Sequence, residues 1–312
     1  MSTELALEKA LKDRTKADVD AELFWRSYQT MKNYLTVNYY PWVQASCPFF
    51  TDHGEGHVKS VISAAGSLLN NHLMPEKSDS LLSSMDLFLL LSAVILHDVG
   101  MVIDRSDHAA RVIEVAEKFK EVCFFNPSIQ RMVTELARAH SGQDGLAGPL
   151  YETDCTLPSK RNQTVFPRAL AAVLRFADEI SENETRISID LMDRVPNKNR
   201  IFWEYASCIS ASRPDLSRER VVVTACIRSD KATNCYKCSD FKNSSTEGTL
   251  PLIEYFIRRI EKMNNERVYC SRQFGKYLSV NSIEVRMSLM HQDIRLKDYE
   301  STLVLNDSGL DN

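Results

Sequence analysis

Glycine and proline are scarce in this sequence, with 10 of each among 312 residues. An all-β protein built on many tight turns needs more of both, so the scarcity points to a mainly helical chain. No uninterrupted apolar run approaches the ~18 residues that suggest a membrane span, and no membrane role is expected. An excess of basic charge is missing too. The formal net charge is −4, which argues against a dedicated duplex-DNA binder. The eight cysteines are scattered. Only one CxxC occurs, Cys235 to Cys238, with Cys208 and Cys226 at irregular spacing, whereas a structural zinc site calls for two such pairs. The N-terminal stretch MSTELALEKALKDRTKADVD is charged and helix-like rather than a signal peptide. Free thiols in a reducing cytoplasm are therefore expected.

What is present is helical periodicity over the first two thirds. Residues 3–45 read as helices, with Leu5, Leu7, Leu11, Phe24, Trp25, Tyr28 and Met31 at roughly helical spacing. Pro41, inside YLTVNYYPWV, marks a helix end or short turn. A helix is predicted over 51–73, with Asp52 and Glu55 as a capping box and Val58, Val61, Ile62, Ala65, Leu68 and Leu69 on one face. Met85 to His97 is apolar nearly all round, so it should be central. Further helices are expected over about 107–119, 127–140 and 166–180. Residues 141–164 show no period, and a loop of that length is more often functional than idle. After about 195 the pattern changes. RIFWEYASCIS (200–210) and RVVVTACIR (220–228) read as a strand pair, 249–268 as an amphipathic helix, and LNDSGLDN as a frayed end. The chain thus divides into an N-terminal helical segment (1–50), a helical core (51–195) and a C-terminal α+β portion (196–312).

Six of the seven histidines fall between 53 and 140, inclusive. His57 precedes Val61 by four residues and shares its inward face. His140 extends the stripe of Ile129, Val133 and Leu136. The most apolar run, LLLSAVILHDVG, ends in His97 and Asp98 side by side. A single inward histidine is ordinarily a hydrogen-bonded core residue. Several of them together with a buried aspartate need pairing or a metal, because burying charge is costly.

The motifs HVKSV (57–61), LLSAVILHDVGM (90–101) and LAAVLRFADEIS (170–181), in that order, resemble the HD-domain metal-dependent phosphohydrolases. The resemblance covers about 51–190. It is greatest to bacterial HD proteins that begin with a helical segment, some of them fused to Hsp90-like ATPase modules. It implies an HD-domain helical bundle in which His57, His97, Asp98 and Asp178 are ligands of one divalent ion. It also implies a catalytic role for Asp98, with His108 and His140 as candidates for catalysis or a second ion. His53, four residues before His57, is an additional candidate. Met101 stands where the deoxynucleotide triphosphohydrolases of this superfamily usually carry His. The GYP motif and paired His-His of the cyclic-di-GMP branch are missing, so one ion is slightly favoured over two.

Imidazole plus carboxylate suits Mn, Fe, Co, Ni or Zn better than Mg. For substrate phosphate, Lys59, Arg175 and Arg186 are the candidate donors, each with a surface ion pair as its alternative reading, and Lys160 and Arg161 could act from the long loop. The expected substrate is a small phosphorylated molecule, in the first place a nucleotide. The alternative is a non-catalytic module that senses metal or nucleotide and contacts a partner protein, or a second copy of itself, through its C-terminal portion.

Overall fold

The computed structural model describes residues 5–73, 82–142, 146, 155–156, 164–238, 248–275, 277–291 and 294–311. It is mainly α, with a C-terminal mixed sheet. The chain forms two compact units. One comprises 1–47, 53–178 and 270–279, and the other 48–52, 179–269 and 280–312.

The first unit contains α1 (Ala6–Arg14), α2 (Val19–Asn38), α3 (Tyr40–Ser46), α4 (Glu55–Leu68), α5 (Ser84–Leu96), α6 (His108–Glu117), α7 (Lys120–Cys123), α8 (Pro127–Arg138) and nearly all of α9 (Pro167–Glu179). Helix α5 is buried along its whole length and packs against α1, α2, α4 and α8. Phe24 of α2 stacks on Phe88 of α5 with ring centroids 5.3 Å apart. The N-terminus of α5 is closed by a capping box, in which the Ser83 hydroxyl accepts from the Asp86 N–H (3.0 Å) and Asp86 accepts from the Ser83 N–H (2.8 Å). Leu87, Leu89, Leu91, Ile95 and Leu96 are fully buried. Each such side chain contributes ~1.5–3 kcal/mol, and several together outweigh the few kcal/mol per ion that a buried charge costs. A helix this apolar can therefore end in charged groups inside the protein.

The run Ser84–Val102, α5 plus a short 3-10 turn, is 19 residues long and apolar enough to cross a membrane by length and composition. The expectation that no such run exists is corrected here, because Asp86, Ser92 and the terminal His97-Asp98 do not dilute it enough. In this structure 94% of that run is buried inside the protein, as the core helix of a folded domain also is.

The second unit is built on a five-stranded sheet of order β3 (Ile209–Asp215), β4 (Arg220–Arg228), β7 (Ser282–His291), β8 (Ile294–Asn306) and β9 (Gly309–Asp311). β4 and β7 are parallel and the other neighbours antiparallel. Their connection contains α11 (Ser229–Ala232), the small ladder of β5 (Cys235–Lys237) with β6 (Thr249–Pro251), and α12 (Leu252–Ser271). β4 alternates as a half-buried strand should, with Val221, Val223, Ala225 and Ile227 inward. Among the described residues of 141–164, Cys155–Thr156 (β1) pairs with Thr164–Val165 (β2).

Several local expectations are corrected. Residues 200–208 are helical, within α10 (Asn197–Cys208), and β4 pairs instead with 209–215. An aromatic-rich run reads equally as strand or helix. Here Arg200 and Glu204 form an i,i+4 ion pair at 2.9 Å, while Ile201, Tyr205 and Cys208 turn inward. The 51–73 helix starts only at Glu55, with Gly54 as N-cap and no side-chain cap. Asp52 is engaged elsewhere, its N–H donating to the Arg186 carbonyl and its own carbonyl accepting from Arg186 Nε. Pro41 lies in the first turn of α3, where the missing N–H costs nothing. The C-terminal residues form a hairpin, Asn306 opposite Gly309, with Asn306 Oδ1 accepting from the Ser308 N–H (2.8 Å) and Asp307 paired with buried Arg267 (2.7 Å).

Candidate metal centre

Five elements of the first unit bring six side chains together. His57 is the third residue of α4. His97 caps the C-terminus of α5, and Asp98 follows it. His108 opens α6, His140 lies two residues beyond α8, and Asp178 is the penultimate residue of α9. His57, His97, Asp98 and His140 are all buried. The donor atoms form two groups, each within 4.8 Å internally: His57, His97 and Asp98, then Asp98, His108 and His140.

Asp98 belongs to both groups and offers one oxygen to each. Its Oδ2 lies 3.2 Å from His97 Nε2 and 3.5 Å from His57 Nε2. Its Oδ1 lies 3.4 Å from His108 Nε2 and 3.7 Å from His140 Nε2. Asp178 borders the first group, with Oδ1 at 3.0 Å from His57 Nε2 and 3.9 Å from His97 Nε2.

The histidines share one device. Nδ1 of His97 faces the Val94 carbonyl (2.7 Å), Nδ1 of His108 the Arg105 carbonyl (2.9 Å), and Nδ1 of His140 the Ala137 carbonyl (2.6 Å). A carbonyl oxygen only accepts, so each Nδ1 carries a proton and each ring turns its Nε2 into the site. Backbone carbonyls orient metal-binding imidazoles in this way. His108 Nε2 and His140 Nε2 then face each other at 2.9 Å, and His57 Nε2 faces His97 Nε2 at 3.2 Å. Two ring nitrogens this close cannot both present lone pairs, so a proton or a cation must come between them.

Electrostatics treats the two groups differently. Burial, reinforced by the charge of His97, pushes the His140 pKa down to about 4, so its ring is neutral near pH 7. Burial would also lower His97, but the charge and hydrogen bond of Asp98, together with Asp178 and the Val94 carbonyl, raise it to about 9. Burial would raise Asp98, yet His97, His53 and His57 hold it well below the usual carboxylate range. Asp178 is likewise lowered, its burial outweighed by His57 and His97. Ionised carboxylates among imidazoles whose Nε2 atoms face inward are a donor set that fits a divalent transition ion, which would displace the proton of His97 on binding.

The remaining candidates belong to neither group. His53 is half-buried, its N–H donating to Gln44 Oε1 and its ring 5.7 Å from that of His57. Lys59 is exposed and paired with Glu55 at 2.7 Å, two residues from His57 and so on another helical face. Arg175 donates from Nη1 to the Gly142 carbonyl (2.7 Å). Arg186, in the second unit, is buried and paired with Glu182 (3.0 Å). Lys160 and Arg161 lie outside the described residues. Cys235 is exposed and Cys238 buried, both free, and no metal-like group among the described residues includes them.

The carbonyls of Val94, Arg105 and Ala137 were not legible in advance, since a backbone acceptor has no side-chain identity. The one sequence trace is the spacing, each carbonyl standing three residues before its histidine. Tyr40 was missed as well. Its buried hydroxyl donates to the Ile95 carbonyl (3.0 Å) and tethers the last turn before the His97-Asp98 pair.

Among known proteins, no curated protein and no solved structure matches this chain. A family model described as HD-CE matches residues 47–245. That span is well over half of the chain and contains every residue of the two His/Asp groups, and the chain belongs to the HD-CE family of HD domains.

Proposed function

We propose that this protein is a metal-dependent phosphohydrolase acting on a phosphate ester of a nucleotide or a related small molecule. The observation that carries the reading is Asp98, buried and ionised, with one oxygen toward each of two groups of inward-facing imidazoles. His57, His97, Asp98 and Asp178 would hold one divalent ion, and Asp98, His108 and His140 a second. A bound ion would supply there a water acidic enough to ionise near neutral pH and a Lewis acid for a phosphoryl oxygen. Mn, Fe, Co, Ni or Zn suits the mixed nitrogen and oxygen donors, and Mg, which favours an all-oxygen shell, does so less well.

The chain's own part is placement. The Val94, Arg105 and Ala137 carbonyls fix the imidazole rings, and α5 fixes Asp98. His108 and Asp178 are the most exposed members of the set, with 19% and 27% of their side-chain surface accessible. A phosphoryl group would approach over these two. Arg175 and Arg186 already serve backbone carbonyls, so neutralisation of phosphate charge would fall mainly to the ions.

The test is elemental analysis of the purified protein, followed by a panel of nucleotides and phosphodiesters with added Mn²⁺, Ni²⁺ or Mg²⁺, comparing wild type with Asp98→Ala and Asp178→Ala. Metal-dependent hydrolysis by wild type that both variants lose supports the reading. Bound metal without hydrolysis of any substrate favours a sensor or partner-binding module. A wild type that takes up no transition metal overturns the reading.

A further inference from the structure

We propose that Gly100 is a positioning residue for the second group, setting where His108 stands relative to Asp98 and His140. The proposal rests on the reading that both groups hold ions. Gly100 lies in the 3-10 turn Val99–Val102, directly after the His97-Asp98 pair. Positive-φ glycines occur at 142, 248 and 275, but Gly100 is not among them, so backbone conformation does not demand glycine there. Space demands it. A Cβ at Gly100 would overlap the His108 carbonyl oxygen and lie 2.9 Å from its carbonyl carbon and 3.0 Å from Arg111 Cβ.

Helix α6 therefore begins pressed against the turn that carries Asp98, closer than any side chain allows. That approach sets His108 Nε2 at 2.9 Å from His140 Nε2 and 3.4 Å from Asp98 Oδ1. Adding a Cβ requires one side to yield by about 1 Å. The turn continues α5, and Val99, Gly100 and Met101 are buried. The link from Ile103 to Asp107 is half-buried or exposed, and so is the start of α6. The α6 side yields, and His108 moves with it. Ligand distances tolerate only ~0.2 Å, so the second group is broken. His57, His97 and Asp178 sit on α4, on the end of α5 and on α9, away from the displaced segment.

The experiment is Mn²⁺ titration of the full chain, reading unbound Mn²⁺ by EPR, together with the spin-coupled spectrum of neighbouring ions. Wild type should bind two equivalents with a coupled spectrum. Gly100→Ala should keep the first equivalent at wild-type affinity, weaken the second by ~10–100-fold or more, and lose the coupling, as His108→Ala should. A purely structural role would weaken both equivalents together, and that result overturns the proposal. So does a Gly100→Ala protein that binds two coupled ions like wild type. Wild type binding a single ion overturns the proposal while leaving a metal-dependent function standing, and wild type binding none overturns both. If Gly100→Ala does not fold, a chain with one glycine inserted between Arg105 and Ser106 decides. One retained ion supports the proposal, and two coupled ions overturn it.

Discussion

Arg175 separates a structural from a phosphate-binding role most cleanly. Only 8% of it is exposed, and its Nη1 donates to the Gly142 carbonyl at 2.7 Å. Gly142 has φ +89°, a conformation that favours glycine, and lies two residues after His140. Arg175 thus ties the chain just past His140 to α9, three residues before Asp178. Substituting Arg175→Met keeps the apolar stem and removes the donor. A hydrogen bond from a charged group is worth ~1.5–3 kcal/mol, and the abandoned carbonyl costs a similar amount if it stays buried. Relief of the buried charge offsets part of that, leaving a net loss of about 2 kcal/mol. For a folding unit of this size, this corresponds to a fall in Tm of about 4–8 °C. The assay is calorimetric unfolding of wild type and variant without metal, with nucleotide monophosphate affinity measured in parallel. A variant that melts like wild type but binds the nucleotide far more weakly refutes this reasoning and makes Arg175 a phosphate ligand.

Other consequences follow from the same geometry. Ser83→Ala removes the capping box of α5 and should cost ~1 kcal/mol in urea unfolding, while the ion stoichiometry stays unchanged because the far end of the helix is fixed by its own packing. Alkylation followed by peptide mass mapping should label exposed Cys235 quickly. Cys208 and Cys123 should react slowly, since burial pushes their thiols up to about 12 and about 11. Asp178→Ala should lose the first ion and keep the second, as read by equilibrium dialysis, because Asp178 Oδ1 lies 3.0 Å from His57 Nε2 and 3.9 Å from His97 Nε2, on the side of the first group.

The parts of the fold legible in the sequence are those where one signal dominates. The run from Leu87 to Leu96 is apolar nearly all round and reads as a central helix, with the His-Asp pair at its end. β4 was legible as a short run rich in β-branched residues, and its alternation of inward and outward side chains shows only in the structure. Residues 200–208 were misread because aromatic and β-branched residues favour strands, while the Arg200–Glu204 pair that favours a helix becomes visible only once the turn exists. For the candidate centre, helical faces indicate which histidines turn inward, but not which carbonyl orients each ring. Nor does spacing tell where a long cation goes. Arg175 shares a face with Asp178, yet a backbone carbonyl takes it. Nor does the sequence show that the tight requirement at Gly100 comes from His108, eight residues on and across a turn.

The most direct test of the account is a crystal structure of Mn²⁺-loaded protein with anomalous diffraction. Two anomalous peaks are predicted, one on each side of Asp98. One should be ligated by His57, His97 and Asp178, the other by His108 and His140. No peak at Asp98, or ions bound only elsewhere on the molecule, would contradict it.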